Sequence, residues 1–166
     1  MTRSHPPSHR CVDLGRAEAM RLLGSVSLGR IVFTRQALPT VRPAGHVLDD
    51  GDIVIRTYEG AAPASHPLRD EDTAVVADAV VAYEADAIDP DTHLGWSVVA
   101  TGYAHLITDP GELARVGRML YPSAARQGMD RAVRIRPELI TGVLLTDTEA
   151  TPEGRDRPWT VRSVEP

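Results

Sequence analysis

Arg42 and Thr57 are spaced so that one β-hairpin can bring both side chains to the same phosphate group. The dipeptide Asp50-Gly51 separates two extended runs, and it favours a two-residue type I′ turn, in which both central residues need positive φ. That turn pairs Ala44 with Thr57, so Arg42 lies diagonally from Thr57, at roughly 7–8 Å between backbone positions. A guanidinium binds phosphate oxygens in a bidentate manner and a threonine hydroxyl adds a donor. The hairpin therefore predicts an anion-binding corner.

The same pairing decides which side chains share a face. It sets His46 opposite Ile55 and Val47 opposite Val54. Because side chains alternate along a strand, one face carries five of the hairpin residues: Arg42, Ala44, His46, Ile55 and Thr57. Arg56 then points to the opposite face. The alternative to an anion-binding role is that this face of the hairpin is exposed to solvent on the outside of a barrel, where arginine is common.

Periodicity and turn residues divide the rest of the chain into strands and two helices. One helix is predicted over residues 14–24 with Asp13 as its N-cap, and another from Asp109-Pro110 to Leu120. Extended runs outside the hairpin are predicted at residues 28–34, 73–87, 95–108, 131–136 and 139–145, with Gly102 as a bulge. For the first half of residues 73–87, a helix is the alternative. Short strands at hairpin spacing lose their exposed edges by closing into an antiparallel barrel. The predicted fold is therefore mainly β.

Composition narrows the class of protein. A chain of 166 residues suits one domain with a core of its own, and its scarce aromatic residues (4%) leave that core to Val, Leu, Ile and Ala. The single cysteine, Cys11, excludes an internal disulfide framework, and no apolar run is long enough to span a bilayer. A net charge of −5 argues against nucleic-acid binding. We expect a cytoplasmic protein without a membrane partner.

Four segments in a fixed order carry a resemblance to a known family. They are L-G-R-(apolar)₃-T from Leu28, P-x-V-x-P from Pro39, D-G-D-I-V-(apolar)-R-T from Asp50 and D-P-x-T-x-x-G-W-S-V-x-x-x-G from Asp89. Over about residues 13–145, the chain resembles the flavin-binding split-barrel proteins related to pyridoxamine 5′-phosphate oxidase. The resemblance implies a six-stranded antiparallel split β-barrel, roll-like with flanking helices. It also implies a homodimer that holds FMN, or in some members the deazaflavin F420, in a groove between the subunits.

The resemblance further implies which residues contact the cofactor. Pro43-Ala44-Gly45-His46 corresponds to the strand along which the flavin ring lies, where small residues let a planar ring approach the backbone. His46 would hydrogen-bond the ring or a substrate, although a single histidine on a strand is more often structural. Arg56 matches the Arg-Thr that ends the family's third strand near the phosphate, together with Thr57. Trp96-Ser97 borders or supports the groove, and the tryptophan is equally suited to the core.

One segment departs from the family pattern. After Arg-Thr the family commonly has a Gly-Ser-Lys-Leu-like stretch whose Ser and Lys contact the phosphate, whereas residues 60–67 here contain no lysine. Pro63 also lacks a backbone N–H donor. Ser65, His66 and Arg69 are candidates to replace these contacts. The choice between FMN, F420 and no cofactor therefore stays open.

The absence of familiar catalytic motifs assigns the chemistry to a cofactor. The sequence has no G-x-G-x-x-G, P-loop, H-E-x-x-H or G-x-S-x-G motif. We expect an FMN-dependent oxidoreductase that transfers hydride or electrons to or from a small molecule. The alternatives are an F420-dependent reductase, a non-catalytic flavin- or haem-binding module, and a cofactor-free relative. The flavin-binding domain is predicted at residues 13–146, between a disordered tail at 1–12 and a C-terminal tail at 147–166.

Overall fold

The computed structural model describes residues 9–56, 76–120 and 132–147. Helices in these ranges are α1 (Arg16–Leu23) and α2 (Pro110–Leu120). Strands are β1 (His9–Asp13), β2 (Leu28–Arg35), β3 (Leu38–Asp49), β4 (Asp52–Arg56), β5 (Val80–Ile88), β6 (Gly95–Ile107) and β7 (Ala132–Asp147). No helix among the described residues is long and apolar enough to cross a membrane.

Strands β2 to β7 close into a ring. Hydrogen-bonded neighbours follow the order β7, β4, β3, β2, β5 and β6, and β6 pairs back with β7, always antiparallel. Closure removes the unpaired edges that an open sheet would expose. The predicted mainly β, six-stranded split barrel with flanking helices is therefore confirmed. Strand β1 adds a seventh strand beside the far end of β7.

Three predicted boundaries are wrong. Residues 9–12, expected in a disordered tail, belong to β1 and pair with the end of β7. Asp13 lies in the same strand, so α1 is preceded by Gly15 at its N-cap and not by Asp13. The two predicted closing strands form one continuous strand, β7. All three errors come from long-range strand pairing, which a short stretch of sequence does not encode.

The bulge predicted at Gly102 is confirmed, and it lets β7 continue as one strand. The pairing shifts between Thr101–Leu139 and Gly102–Pro137, so that Glu138 is the extra residue on β7. A Cβ at Gly102 would overlap backbone atoms of β7, which explains why glycine is needed there. A bulge bends the strand that carries it, so β7 can pair with β6 along its length, with β4 near its start and with β1 near its end.

The β3–β4 hairpin has the predicted turn and register. Asp50 and Gly51 have φ values of 51° and 86°, as a type I′ turn requires. His46 lies opposite Ile55. The sequence argument about which β3 side chains share a face therefore holds for the folded protein.

Two apolar cores support this hairpin from opposite sides. The larger core fills the barrel, where α1 contributes Ala19, Leu22 and Leu23. The smaller core lies under α2 on the outer side of the sheet and contains Val54, Ile107, Leu113, Val116 and Ala132. As predicted, Asp109 caps α2, and its Oδ2 accepts the Glu112 N–H at 2.8 Å.

An ion cluster fastens α2 to the barrel. The Asp49 carboxylate, buried at the end of β3, accepts two bonds from Arg115 of α2, at 2.6 and 2.7 Å. It also accepts one from Arg134 of β7 at 2.6 Å, and Arg134 donates in turn to Glu112 of α2 at 2.7 Å. Three elements are thus joined through one buried carboxylate.

Candidate functional site

The predicted site residues on β3 lie on both faces of the sheet. Ala44 and His46 are buried on the inner face of the barrel, and Arg42 is half-buried on the same face. Pro43 is exposed on the outer face, where Gly45 also lies. The outer side of β3 is therefore open to a planar ring at Pro43 and Gly45, whereas Ala44 and His46 are only 2% and 3% exposed.

Trp96 and Ser97 likewise lie on opposite faces of the sheet. Trp96 is buried in the barrel core and is among its largest side chains. Ser97 is half-buried on the outer face, and its hydroxyl donates to Glu84 Oε1 at 3.4 Å. Of this pair, Ser97 is the residue on the same face as Pro43, while Trp96 supports the strand from inside.

An open groove of about 1090 Å³, here called the outer groove, lies beside the start of β2 and is lined by outer-face residues such as Arg30 and Pro43 together with the inner-face residues His46 and Leu48. Its lining includes residues 24–27, which connect α1 to β2, and residues 28–30 at the start of β2. It also includes the end of β5 from Asp86 to Ile88, and Met119 from the last turn of α2. Strand β3 contributes Pro43 and residues 46–48. Clefts with a largely apolar lining and a few polar groups are the usual ligand sites, so this groove is the candidate site.

The polar wall of the groove is an arginine held between two carboxylates. Arg30 Nη1 donates to Glu84 Oε2 at 3.0 Å and to Asp86 Oδ1 at 2.8 Å. Asp86 and then Glu84 raise the pKa of the guanidinium, which therefore stays charged. In the register, Arg30 lies opposite both Pro43 and Glu84, so this cluster sits directly beside the exposed part of β3.

Beneath the groove, the hydrogen bonds of a buried histidine and a buried tyrosine connect three elements, α1, β3 and β5. His46 Nε2 donates to the carbonyl of Leu23 at the end of α1 (2.9 Å), and His46 Nδ1 contacts the Tyr83 hydroxyl of β5 (2.9 Å). The same hydroxyl lies 2.6 Å from Ala44 O on β3. To reach β3, the tyrosine crosses β2 at Gly29, where a Cβ would lie 2.7 Å from its ring and hydroxyl. Burial lowers the pKa of His46 and outweighs the opposite effect of the Leu23 bond.

The described residues include only part of the predicted anion-binding corner. Arg42 Nη1 donates to the Val41 carbonyl at 3.1 Å, and the backbone of Arg56 ends β4 opposite Ala132. Thr57 and the departing segment at residues 60–67 lie outside the described residues. The pairing of Arg42 with Thr57 therefore remains a prediction.

Sequence reasoning missed Tyr83, Gly29 and Arg30. A glycine inside a strand indicates a close approach by another group, and a tyrosine in an otherwise aliphatic run indicates a buried hydrogen bond. Both signals are present at Gly29 and Tyr83. Arg30 has no such local signal, because its carboxylate partners come from another strand, β5.

Together, the closed six-stranded ring, the helix-supported hairpin and the outer groove define a split-barrel protein. Residues 15–143 match the model of the pyridoxamine 5′-phosphate oxidase family. The chain belongs to this family, as the resemblance predicted.

The chain is also similar to known proteins. An uncharacterized protein of Mycobacterium tuberculosis, Rv0080, is 46% identical over 151 residues, which are 90% of this chain and 96% of that protein. The structure of a FAD-binding protein from Mycobacterium smegmatis shares 27% identity with a TM-score of 0.58, covering 81% of this chain and 97% of the other. A FAD- and haem-binding protein of the same organism shares the fold at 13% identity and a TM-score of 0.58, covering 92% and 90%.

Proposed function

We propose that this protein binds a flavin nucleotide, FMN, in the outer groove and uses it as an oxidoreductase toward a small molecule. The observation that carries the proposal is that the groove runs along β3 at Pro43, the segment that the family resemblance assigns to the flavin ring. The family match and the similarity to a FAD-binding protein at 27% identity support it. The single cysteine is consistent with the cytoplasmic location that we also propose.

The residues present suit a flavin on the outer face. Pro43 and Gly45 carry no long side chain there, so a planar ring can contact the backbone of β3. Arg30 offers a charged donor beside the ring. We assign the phosphate to Arg42 and Thr57, and we assign Arg56, whose side chain points to the opposite face from Arg42, a contact near the phosphate through its backbone or side chain. A bound flavin supplies hydride or electron transfer, and the protein supplies binding and orientation.

The direct test is a fluorescence titration of cofactor-free protein with FMN, FAD and F420 separately. We expect saturable FMN binding in the micromolar range or tighter, with a yellow complex. Arg42→Ala should weaken FMN binding about tenfold, because a charge-assisted bond to the phosphate is lost. Arg10→Ala is the matched control, since Arg10 is exposed on β1, whose partner strand is β7.

The cofactor titrations and the Arg42→Ala variant test separate parts of the proposal. Binding of none of the three cofactors would contradict the proposed function. Tighter binding of FAD or F420 would replace FMN, and wild-type FMN affinity in Arg42→Ala would remove Arg42 from the phosphate site.

We also propose that the outer sheet face is covered by a second copy of this chain. A mainly apolar row crosses five strands through the paired residues Val41, Val32, Ala82, Thr101 and Leu139. Val41 and Leu139 are exposed, and so are the neighbouring Val80 and Tyr103. Contiguous apolar surface of this kind marks interfaces. The adjoining Arg30–Glu84–Asp86 cluster carries both signs of charge, which suits a self-complementary interface.

A charge placed in this row should therefore prevent dimer formation. Leu139→Asp adds a carboxylate to a side chain that is 59% exposed, so the barrel itself should remain folded. We expect light scattering coupled to size-exclusion chromatography to give a dimer for the wild type and a monomer for the variant. Leu38→Asp is the control, because Leu38 is 67% exposed but lies beside the β2–β3 turn, away from the row. A monomeric wild type would contradict the interface.

A further inference from the structure

The buried His46–Tyr83 pair makes three polar contacts, and the number of hydrogens available for them depends on the protonation of His46. The Leu23 carbonyl can only accept, so the 2.9 Å contact requires a hydrogen on His46 Nε2. The Tyr83 hydroxyl has one hydrogen and lies near two acceptors, Ala44 O at 2.6 Å and His46 Nδ1 at 2.9 Å. With neutral His46, that single hydrogen can complete only one of these two contacts.

Protonation of His46 completes every contact. Nδ1–H then donates to the Tyr83 oxygen, and the hydroxyl hydrogen is left for Ala44 O. The three contacts that link Leu23, His46, Tyr83 and Ala44 then hold one hydrogen each.

We propose that His46 and Tyr83 form a proton switch under the groove. With neutral His46, the Tyr83 hydroxyl donates to Nδ1, and uptake of one proton at Nδ1 turns that hydroxyl hydrogen to Ala44 O. This role differs from the ligand contact that the sequence predicts for His46, and it does not depend on the cofactor.

The switch acts on both sides of the groove. Ala44 lies between Pro43, which lines the groove, and Gly45. Leu23 immediately precedes residues 24–30, which form the opposite part of the lining. Proton uptake therefore changes the hydrogen bonding of the β3 backbone and strengthens the bond that holds the end of α1, since charged donors bond more strongly.

The surroundings of His46 set the pH range. His46 is only 3% exposed. Burial disfavours the charged form of its ring and lowers the pKa of His46 from its ordinary value. The switch therefore operates below about pH 6.5. Because the folded protein binds this proton less tightly than the unfolded chain does, the contribution of His46 to stability decreases as pH falls through this range.

Other charged groups on the neighbouring elements have partners of their own. Arg42 shares the inner face with His46, four residues away along β3, or roughly 13 Å. Among the described residues, the following groups are engaged: Arg16 of α1 with Pro137 O, Glu18 with Arg21 on α1, Arg30 of β2 with Glu84 and Asp86 of β5, Asp52 of β4 with Arg134, and Asp49 of β3 with Arg115 and Arg134. Among the described residues, Tyr83 is the titratable group in direct contact with His46.

The test is an NMR titration of the full chain with ¹⁵N-labelled histidine and ¹³C-labelled tyrosine, with His46→Asn and Tyr83→Phe identifying the two signals. Above its pKa, His46 should be the Nε2–H tautomer, and Tyr83 ¹³Cζ should titrate with the same midpoint as His46. In Tyr83→Phe, Nδ1–H loses its acceptor, so the His46 midpoint should fall by about one pH unit. Tyr103→Phe removes an exposed hydroxyl and should leave the midpoint unchanged.

Three results would overturn the switch. They are a neutral His46 with its hydrogen on Nδ1, a Tyr83 signal that does not follow His46, and an unchanged midpoint in Tyr83→Phe. The wild-type tyrosine signal decides the matter even if a variant fails to fold. Failure of FMN to bind would concern the proposed function alone, because this titration contains no cofactor.

Discussion

Replacing Gly29 with alanine should destabilise the protein by about 3 kcal/mol, near the upper end of the usual cost of overpacking. The added Cβ would lie 2.7 Å from the Tyr83 ring and hydroxyl and would also overlap the Glu84 carbonyl. The carbonyl belongs to the backbone of β5, so it cannot swing aside as a flexible side chain would. Relief therefore requires β2 to move away from β5, which weakens the pairing of Arg30, Ile31 and Val32 with that strand.

Urea unfolding followed by circular dichroism measures this loss directly. Gly15→Ala is the matched control, because a Cβ at Gly15 would meet nothing within 4 Å. Its cost should stay below about 1 kcal/mol, the usual loss when a good N-cap residue becomes alanine. Equal stabilities of the two variants would contradict the close packing of Tyr83 across β2.

Replacing Asp49 with asparagine should cost about 2 kcal/mol, because charge-assisted bonds to two arginines are lost at a residue only 7% exposed. The cost is smaller than for a fully buried pair, since Arg115 is 46% exposed on its side chain and remains partly solvated. The loss of the carboxylate also leaves Arg115 and Arg134 as neighbouring like charges. We expect the melting temperature to fall by about 6 °C.

The pH dependence identifies the charge as the cause. Arg115, together with Arg134, holds the pKa of Asp49 well below its ordinary value of about 3.9. A carboxylate with a depressed pKa stabilises the fold at pH values above the unfolded pKa, and the contribution disappears as pH falls through the folded pKa. The difference in stability between wild type and Asp49→Asn should therefore be constant at neutral pH and shrink below about pH 3.9.

An exposed ion pair provides the control for this prediction. Glu18→Gln changes the same type of group in the Glu18–Arg21 pair on the surface of α1, where such pairs contribute little. Its effect should stay within about 0.5 kcal/mol. A difference for Asp49→Asn that persists unchanged in strong acid would show that shape, and not charge, causes the loss.

These predictions separate the parts of the molecule that support the site from those that would contact a ligand. Gly29 and Tyr83 hold β2, β3 and β5 together under the groove. Asp49 holds α2 in place, and Met119 of α2 lines the groove. Neither group of residues needs to touch a cofactor to affect its binding.

Local sequence determined the hairpin, and with it much of the fold. Asp50-Gly51 specified a type I′ turn, and that turn specified that His46 faces Ile55. Asp109-Pro110 likewise specified the start of α2, and Gly102 the bulge. These features are predictable because turn, cap and bulge geometry depend on the conformational limits of a few adjacent residues.

Only the tertiary structure decided which of the predicted site residues are buried. Alternation placed Ala44 and His46 on one face of β3, but the sequence does not say that α1 fills the barrel and makes that face the inside. Strand β1 and the continuity of β7 were missed for a related reason. Strand β1 forms by pairing with residues more than a hundred positions away, and β7 is continuous because a bulge lets it keep pairing with β6. Burial and pairing of distant segments result from the packing of the whole chain, and no local pattern of residues encodes them.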